Sequence, residues 1–166
     1  HGGSKGFFCA IFDANQIDDK TIEFTYKSVD GEMGYPGNLD MKLTYSLCDC
    51  GSLKLEYEAT TDKPTVVNLT HHSFFNLGGE GDSTICDEKI QIFADNITPV
   101  DGNLIPTGEL MPVEGTPFDL RESALIGDGI NADDEQIKLG GGYDHNWVLS
   151  SEIDAETGLR MAAKVV

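Results

Sequence analysis

Arginine is nearly missing from this chain, with only Arg121 and Arg160 among 166 residues. A phosphate held in a bidentate guanidinium clamp is therefore disfavoured. Basic residues are few altogether: Lys and Arg number 11 against 29 Asp and Glu, a formal net charge of −18. Nucleic acid and anionic membrane surfaces both call for a basic footprint, so neither is expected as a partner. A neutral ligand suits this balance better than an anionic one. No apolar run is long enough to cross a bilayer as a helix. Cysteine is scarce, at Cys9, Cys48, Cys50 and Cys86, in a spacing that matches no zinc pattern. Cys48-Asp49-Cys50 followed by Gly51 reads as part of a tight loop, with structural or incidental thiols. No metal site is expected.

The length suits one domain with a real core. There is no initiator methionine, and the chain opens on "HGGSKGF" and closes on Val165 and Val166 in a strand-like run. Both ends read as cut. A targeting signal would lie upstream, so the compartment defaults to the cytoplasm and secretion stays open. The triplets Asn68-Leu69-Thr70 and Asn96-Ile97-Thr98 fit the glycosylation pattern but arise readily by chance.

What is present is β pattern. Residues 21–29, "TIEFTYKSV", alternate and are rich in β-branched and aromatic side chains. Asp30-Gly31, Gly34 and Pro36-Gly37 then signal turns. Residues 41–47 and 53–59 alternate again across the short loop "CDCGS", a hairpin signature. The pattern predicts a long strand or two over 64–77 and a strand over 89–95. Four prolines break 96–119, leaving a short strand near "GELMPV". Residues 122–142 are acidic and read as a mobile loop or a short helix. Residues 145–151 and 160–166 read as strands joined by the turn "DAETG". No strand is followed by a sustained amphipathic helix, which disfavours a parallel α/β fold. The expected class is mainly β, an antiparallel β-sandwich.

The run "NLTHHSFFNL" over 68–77 holds two of the four histidines. If the run is a strand, its side chains alternate between faces. The odd set, Val67, Leu69, His71, Ser73, Phe75 and Leu77, is the more apolar and should face the core. The even set, Val66, Asn68, Thr70, His72, Phe74 and Asn76, is the more polar, and from Asn68 on it has the composition of a sugar-binding face: amides and a hydroxyl for sugar hydroxyls, an aromatic plate for the C–H side of a pyranose. The same alternation argues against the two imidazoles chelating one metal. On residues alone, a structural and a proton-transferring His72 both stand.

Five stretches in order resemble the aldose 1-epimerase family, also called galactose mutarotases. They are "HGGSKGF" at 1–7, "SVDGEMGYPGNLDMKLTYSL" at 28–47, "TDKPTVVNLTHHSFFNL" at 61–77, "ADNITPVDGNLIPTGELMPVEGTPFDLR" at 95–121 and "GGYDHNWVL" at 141–149. The resemblance implies an antiparallel β-sandwich of galactose mutarotase type, with a cleft for a free aldose, and it implies that residues 1–166 are part of one such domain. Family members are longer, so this chain is expected to be a central portion. The implied activity is interconversion of α and β anomers of sugars such as galactose or glucose. A general base takes the anomeric hydroxyl proton and a general acid protonates the ring oxygen, with no metal or organic cofactor. The implied partner is a neutral monosaccharide.

The resemblance assigns the general acid to His72, in the Asn-x-Thr-x-His-Ser pattern that also contains Ser73. Family members usually carry Asn where His71 stands and Tyr where Phe74 stands. His1 matches a substrate-binding histidine, and Asp144 of "GYDHN" matches a carboxylate that accepts sugar hydroxyls. Ser73 and Phe74 are counted with the substrate-binding set. The family's base glutamate has no matching motif here, and Glu152 and Glu156 do not resemble it. The arginine expected before the His-Gly-Gly motif is also absent. The segment alone is therefore expected to be inactive. Two other readings stand beside this one: a non-catalytic carbohydrate-binding β-sandwich, and a sugar-phosphate epimerase relative, which the lack of a basic cluster counts against.

Overall fold

Alternating side chains build the first sheet as the pattern requires. The computed structural model describes residues 2–81 and 84–166. It divides into two compact units, His1–His72 and Ser73–Val166. In the first, β1 (Asp13–Gln16), β2 (Thr21–Ser28), β3 (Leu39–Leu47) and β4 (Leu53–Thr61) form an antiparallel sheet in chain order. Phe24 lies opposite Leu43, which lies opposite Tyr57. Ile22, Tyr45 and Leu55 form the neighbouring row on the same apolar face. Phe7 and Phe12 pack their rings against Tyr26, with centroids 5.8 and 5.3 Å away. The other face is polar, with Lys42 3.0 Å from Glu58 and 3.8 Å from Glu23. Exposed pairs of this kind add little stability.

The β3–β4 hairpin around residues 48–52 agrees with the expectation. The strand β1 was not legible, since "DANQ" has no β pattern and is exposed throughout. It exists because β2 offers it backbone partners, after a turn in which the Ile17 N–H donates to Thr21 C=O at 2.9 Å.

The expected strand over 64–77 does not form. No residue of that run has strand structure. Without a strand, the odd and even residues of the run are not held on opposite faces. Val67, Phe75 and Leu77 of the supposed core-facing set are 43, 73 and 60% exposed. Apolar and β-branched composition favours a strand only where a neighbouring strand supplies hydrogen-bond partners. This run belongs to none of the described sheets, and Pro64 has no N–H to offer.

The second unit contains two three-stranded antiparallel sheets, one with β5 (Lys89–Ile92) between β10 (Ala163–Val165) and β8 (Ala124–Leu125), the other with β6 (Ala94–Thr98) between β7 (Met111–Pro112) and β9 (Asn146–Leu149). The single strand expected over 89–95 is two strands, β5 and β6, which belong to different sheets. Phe93 makes the break: its N–H donates to Ala162 C=O at 3.0 Å, and its C=O accepts the Ser150 N–H at 2.9 Å. The acidic stretch expected as one helix or a loop holds two short helices, α1 (Ile126–Gly129) and α2 (Glu135–Gly140). The Asp134 carboxylate caps α2 by accepting the N–H groups of Gln136 and Ile137.

The core of this unit centres on Ile97, Val113, Phe118 and Ile137, with Met111, Tyr143 and Trp147 packed around them. Ile92, Ala94 and Leu120 form an adjoining cluster. Gly129 is dictated by close approach, because a Cβ there would collide with the Tyr143 hydroxyl. That hydroxyl donates to Pro117 C=O at 2.9 Å. No helix among the described residues is long and apolar enough to cross a membrane.

Candidate functional site

The first unit carries a cleft of about 1050 Å³ beside the apolar face of its sheet. Its walls include Phe7, Tyr35, Glu32, Asn68, Thr70 and His72. Val66, Asn68, Thr70 and His72 of the even-numbered set line this cleft, but so do Val67 and Leu69 of the odd-numbered set, so the cleft does not separate the two sets. His71 instead meets Tyr45 edge-on, with ring centroids 5.8 Å apart. Both histidines are exposed.

Glu32 is a member of this cleft that sequence reasoning missed. Its Oε1 accepts the Tyr26 hydroxyl at 2.7 Å. The Ser28 hydroxyl and then the Tyr26 hydroxyl hold the carboxyl below the usual glutamate range, against an opposing effect of burial. Its Oε2 is buried and has no hydrogen-bond partner among the described residues. The turn signals around Asp30-Gly31 marked the loop but gave no reason to expect a buried carboxylate in it.

A shallower groove of about 400 Å³ runs over the polar face of the same sheet. Four of its charges pair with one another, Lys27 3.2 Å from Asp40 and Lys42 3.0 Å from Glu58. None of His72, Ser73, Phe74 and Asp144 lines it.

Ser73, Phe74 and Asp144 belong to the second unit. Phe74 is 90% exposed. Asp144 is exposed in the turn between α2 and β9, with the buried His145 behind it. His1 lies outside the described residues.

His145 is the second residue that sequence reasoning missed. Gln136 makes a two-way bond with Val100: its Oε1 accepts the Val100 N–H at 2.8 Å, and its Nε2 donates to Val100 C=O at 3.1 Å. The same Oε1 lies 3.0 Å from His145 Nε2, so that nitrogen is the donor and Nδ1 is unprotonated in the neutral ring. Nδ1 is buried and has no partner among the described residues. The ring sits edge-on to Phe118 at 4.6 Å. Burial pushes the imidazole pKa below the ordinary value of 6.5, and the nearby carboxylates of Asp144 and Asp134 only partly oppose it.

The unfolded chain therefore binds this proton at a higher pH than the folded chain does. The associated stability is complete above pH 6.5 and is lost as pH falls from there toward the depressed folded value. Thermal midpoints between pH 7.5 and 5.5 should fall in the parent and fall less in His145→Gln. Equal slopes would remove His145 as the cause.

Arg121, one of the two arginines, is already engaged. Its Nε and Nη2 donate to the two oxygens of Asp119, each at 2.8 Å, and Nη1 lies 3.6 Å from Asp95. The pairing holds Asp119 below the usual carboxylate range. A phosphate would have to displace a bidentate partner. Among the described residues, no group of three or more His, Cys, Asp or Glu side chains is placed to hold a metal ion.

The chain is a strongly acidic, mainly antiparallel β protein with a cleft whose wall is largely apolar and carries Glu32, Lys42, Asn68, Thr70 and His72 as polar members. The family model described as aldose 1-epimerase matches residues 1–165, and the chain belongs to that family. It is 44% identical over 149 residues to the galactose mutarotase of Sus scrofa, covering 90% of this chain and 42% of that protein. It is 41% identical over 165 residues to the aldose 1-epimerase of Escherichia coli K12, covering 99% of this chain and 46% of that protein. The crystal structure of galactose 1-epimerase from Lactobacillus acidophilus superposes with a TM-score of 0.85 at 34% identity, over 98% of this chain and 46% of that one. The chain thus spans less than half the length of these relatives, and its mainly antiparallel β fold is of galactose mutarotase type.

Proposed function

We propose that the protein carrying this chain is an aldose 1-epimerase, acting on free neutral aldoses such as galactose or glucose. The observation that carries the reading is His72 on the wall of a cleft of about 1050 Å³, beside Asn68 and Thr70. An imidazole suits the acid role because its pKa lies close to neutral pH. In this mechanism a base takes the proton of the anomeric hydroxyl as the C1–O5 bond breaks. His72 gives its proton to O5. The aldehyde carbon rotates, and the reverse steps close the ring on its other face. The chemistry is proton transfer throughout and calls for no metal or organic cofactor. No residue of this chain is assigned as the base.

Asp144 is assigned to accept sugar hydroxyls, with His1, Ser73 and Phe74 as further substrate contacts. The single family match over residues 1–165 supports treating the chain as part of one domain. Optical rotation of α-galactose, followed with the protein expressed in its native flanking sequence, tests the reading. Anomerisation no faster than the spontaneous rate would reject it.

Asp144→Ala should act mainly on binding. Charge-assisted hydrogen bonds are worth about 1.5–3 kcal/mol each, so losing one should raise KM by roughly 10- to 150-fold. A collapsed kcat with an unchanged KM would assign Asp144 to proton transfer instead.

A further inference from the structure

The hairpin loop between β3 and β4 gathers two thiols and a hydroxyl. The Gly51 N–H donates to Cys48 C=O at 2.9 Å, closing a β-turn over Asp49 and Cys50. The Cys48 N–H donates to Ser52 C=O at 2.8 Å and ties the loop ends together. Gly51 has φ 85°, the left-handed conformation that three-residue hairpin loops use at this place. Cys50 is exposed at the tip, and Cys48 is half-buried at the base. Cys50 Sγ lies 3.0 Å from Ser52 Oγ. Lys20 pairs with Asp49 and offsets the negative charge that flanks the thiol.

We propose that the Cys48-Asp49-Cys50 loop is a thiol–disulfide exchange site for low-molecular-weight disulfides, in which Cys50 attacks and Cys48 resolves. Nucleophilic cysteines are exposed and stabilised as thiolates, and Cys50 meets both conditions. The Ser52 hydroxyl donates to its thiolate, and the backbone N–H groups of Ser52 and Cys50 and the Cys48 thiol add to the effect. Together they hold the Cys50 thiol below the ordinary cysteine range. Cys48 and Cys50 stand two residues apart in one β-turn, and the Cys48 thiol is near enough to help hold the Cys50 thiol down, the proximity that closing a disulfide requires.

The chemistry balances without a further reagent. Cys50, having lost its proton to solvent, attacks one sulfur of glutathione disulfide. The Cys50–glutathione bond forms, the original S–S bond breaks, and one glutathione leaves as thiolate. Cys48 then loses its proton and attacks the Cys50 sulfur. The Cys48–Cys50 bond forms and the second glutathione leaves. Two electrons and two protons pass from the loop to one glutathione disulfide, giving two glutathiones.

The reduced chain is treated with glutathione disulfide at pH 7, and all four cysteines are followed by peptide mass spectrometry. Exposed Cys9 and half-buried Cys86 serve as internal references. Cys50 should react roughly 3-fold or more faster than Cys9, since a lowered pKa raises the thiolate fraction more than it reduces nucleophilicity. The adduct should give way to a Cys48–Cys50 disulfide. In Cys48→Ser the Cys50 adduct should accumulate. In Ser52→Ala the attack by Cys50 should slow toward the Cys9 rate. Equal rates at Cys50 and Cys9, or an adduct equally short-lived in Cys48→Ser and the parent, would overturn the proposal.

Discussion

His72→Ala is expected to slow anomerisation by roughly 10²–10⁴, the usual contribution of a positioned general acid. Without the imidazole, water must protonate the ring oxygen as the C1–O5 bond breaks. Sugar binding should survive, because the other hydroxyl-binding groups remain. The variant should therefore keep a KM near that of the parent while kcat collapses, which is the pattern of an interaction made mainly in the transition state. His72 lines the cleft, whereas His71 meets the edge of Tyr45. That difference supplies the control: His71→Asn should change the rate little. Polarimetry on α-galactose reads both variants in the protein with its native flanking sequence. Turnover within a few-fold of the parent for His72→Ala would remove it from the mechanism, and a collapse in His71→Asn would reverse the assignment of the pair.

The sequence pattern was most informative where structure is local. Residues 41–47 and 53–59 pair with each other across five residues, so alternation and a Gly-containing loop were enough to find the hairpin. It failed where an outcome depended on a distant partner. "PTVVNLTHHSFFNL" is as β-prone as any stretch of the chain, yet no strand forms there. "DANQ" has no β character, yet pairs with β2 over all four residues. At Phe93 the sequence runs on without a Gly or Pro, and the strand nevertheless divides between two sheets. Its backbone bonds go to Ala162 and Ser150, both more than fifty residues away.

The candidate site was legible in the same uneven way. Asn68, Thr70 and His72 were grouped by supposing a strand; no strand is there, and they share their cleft with Val67 and Leu69 of the opposite set. Their grouping is a property of composition and of the motif, not of β alternation. His145 carried no readable signal beyond its place beside Asp144. Only the fold shows that it is 8% exposed and hydrogen-bonded to a glutamine on α2. Glu32 was equally silent, since nothing in "DGEMG" announces a carboxylate oxygen buried beside a cleft. The pairing of Arg121 with Asp119 was silent too, since a count of arginines says nothing of their partners.

Phe118→Ala is expected to destabilise the second unit by about 3–5 kcal/mol, the usual cost of deleting a large buried aromatic ring. Phe118 is fully buried, in one cluster with Ile97, Val113 and Ile137. Its ring is also the common partner of His145, Trp147 and Tyr143, with centroids 4.6, 5.7 and 5.8 Å away. Three rings that converge on one cannot all collapse into the void it leaves, so the cavity cost should persist in full. The Trp147 Nε1–H bond to Phe118 C=O, at 3.2 Å, is a backbone contact and survives the substitution in principle. Its geometry depends, however, on the packing that is removed. Small domains are stable by only about 5–15 kcal/mol, so the change is a large share of the total. Because His145 rests edge-on against this ring and adjoins Asp144, the damage should also reach the proposed sugar contact. Urea unfolding followed by fluorescence of Trp147, the only tryptophan, reads the stability directly. Phe118→Leu, which refills much of the volume, should recover a large part of the loss. A loss below about 1 kcal/mol for Phe118→Ala would mean that the cluster repacks freely and that Phe118 is not its centre.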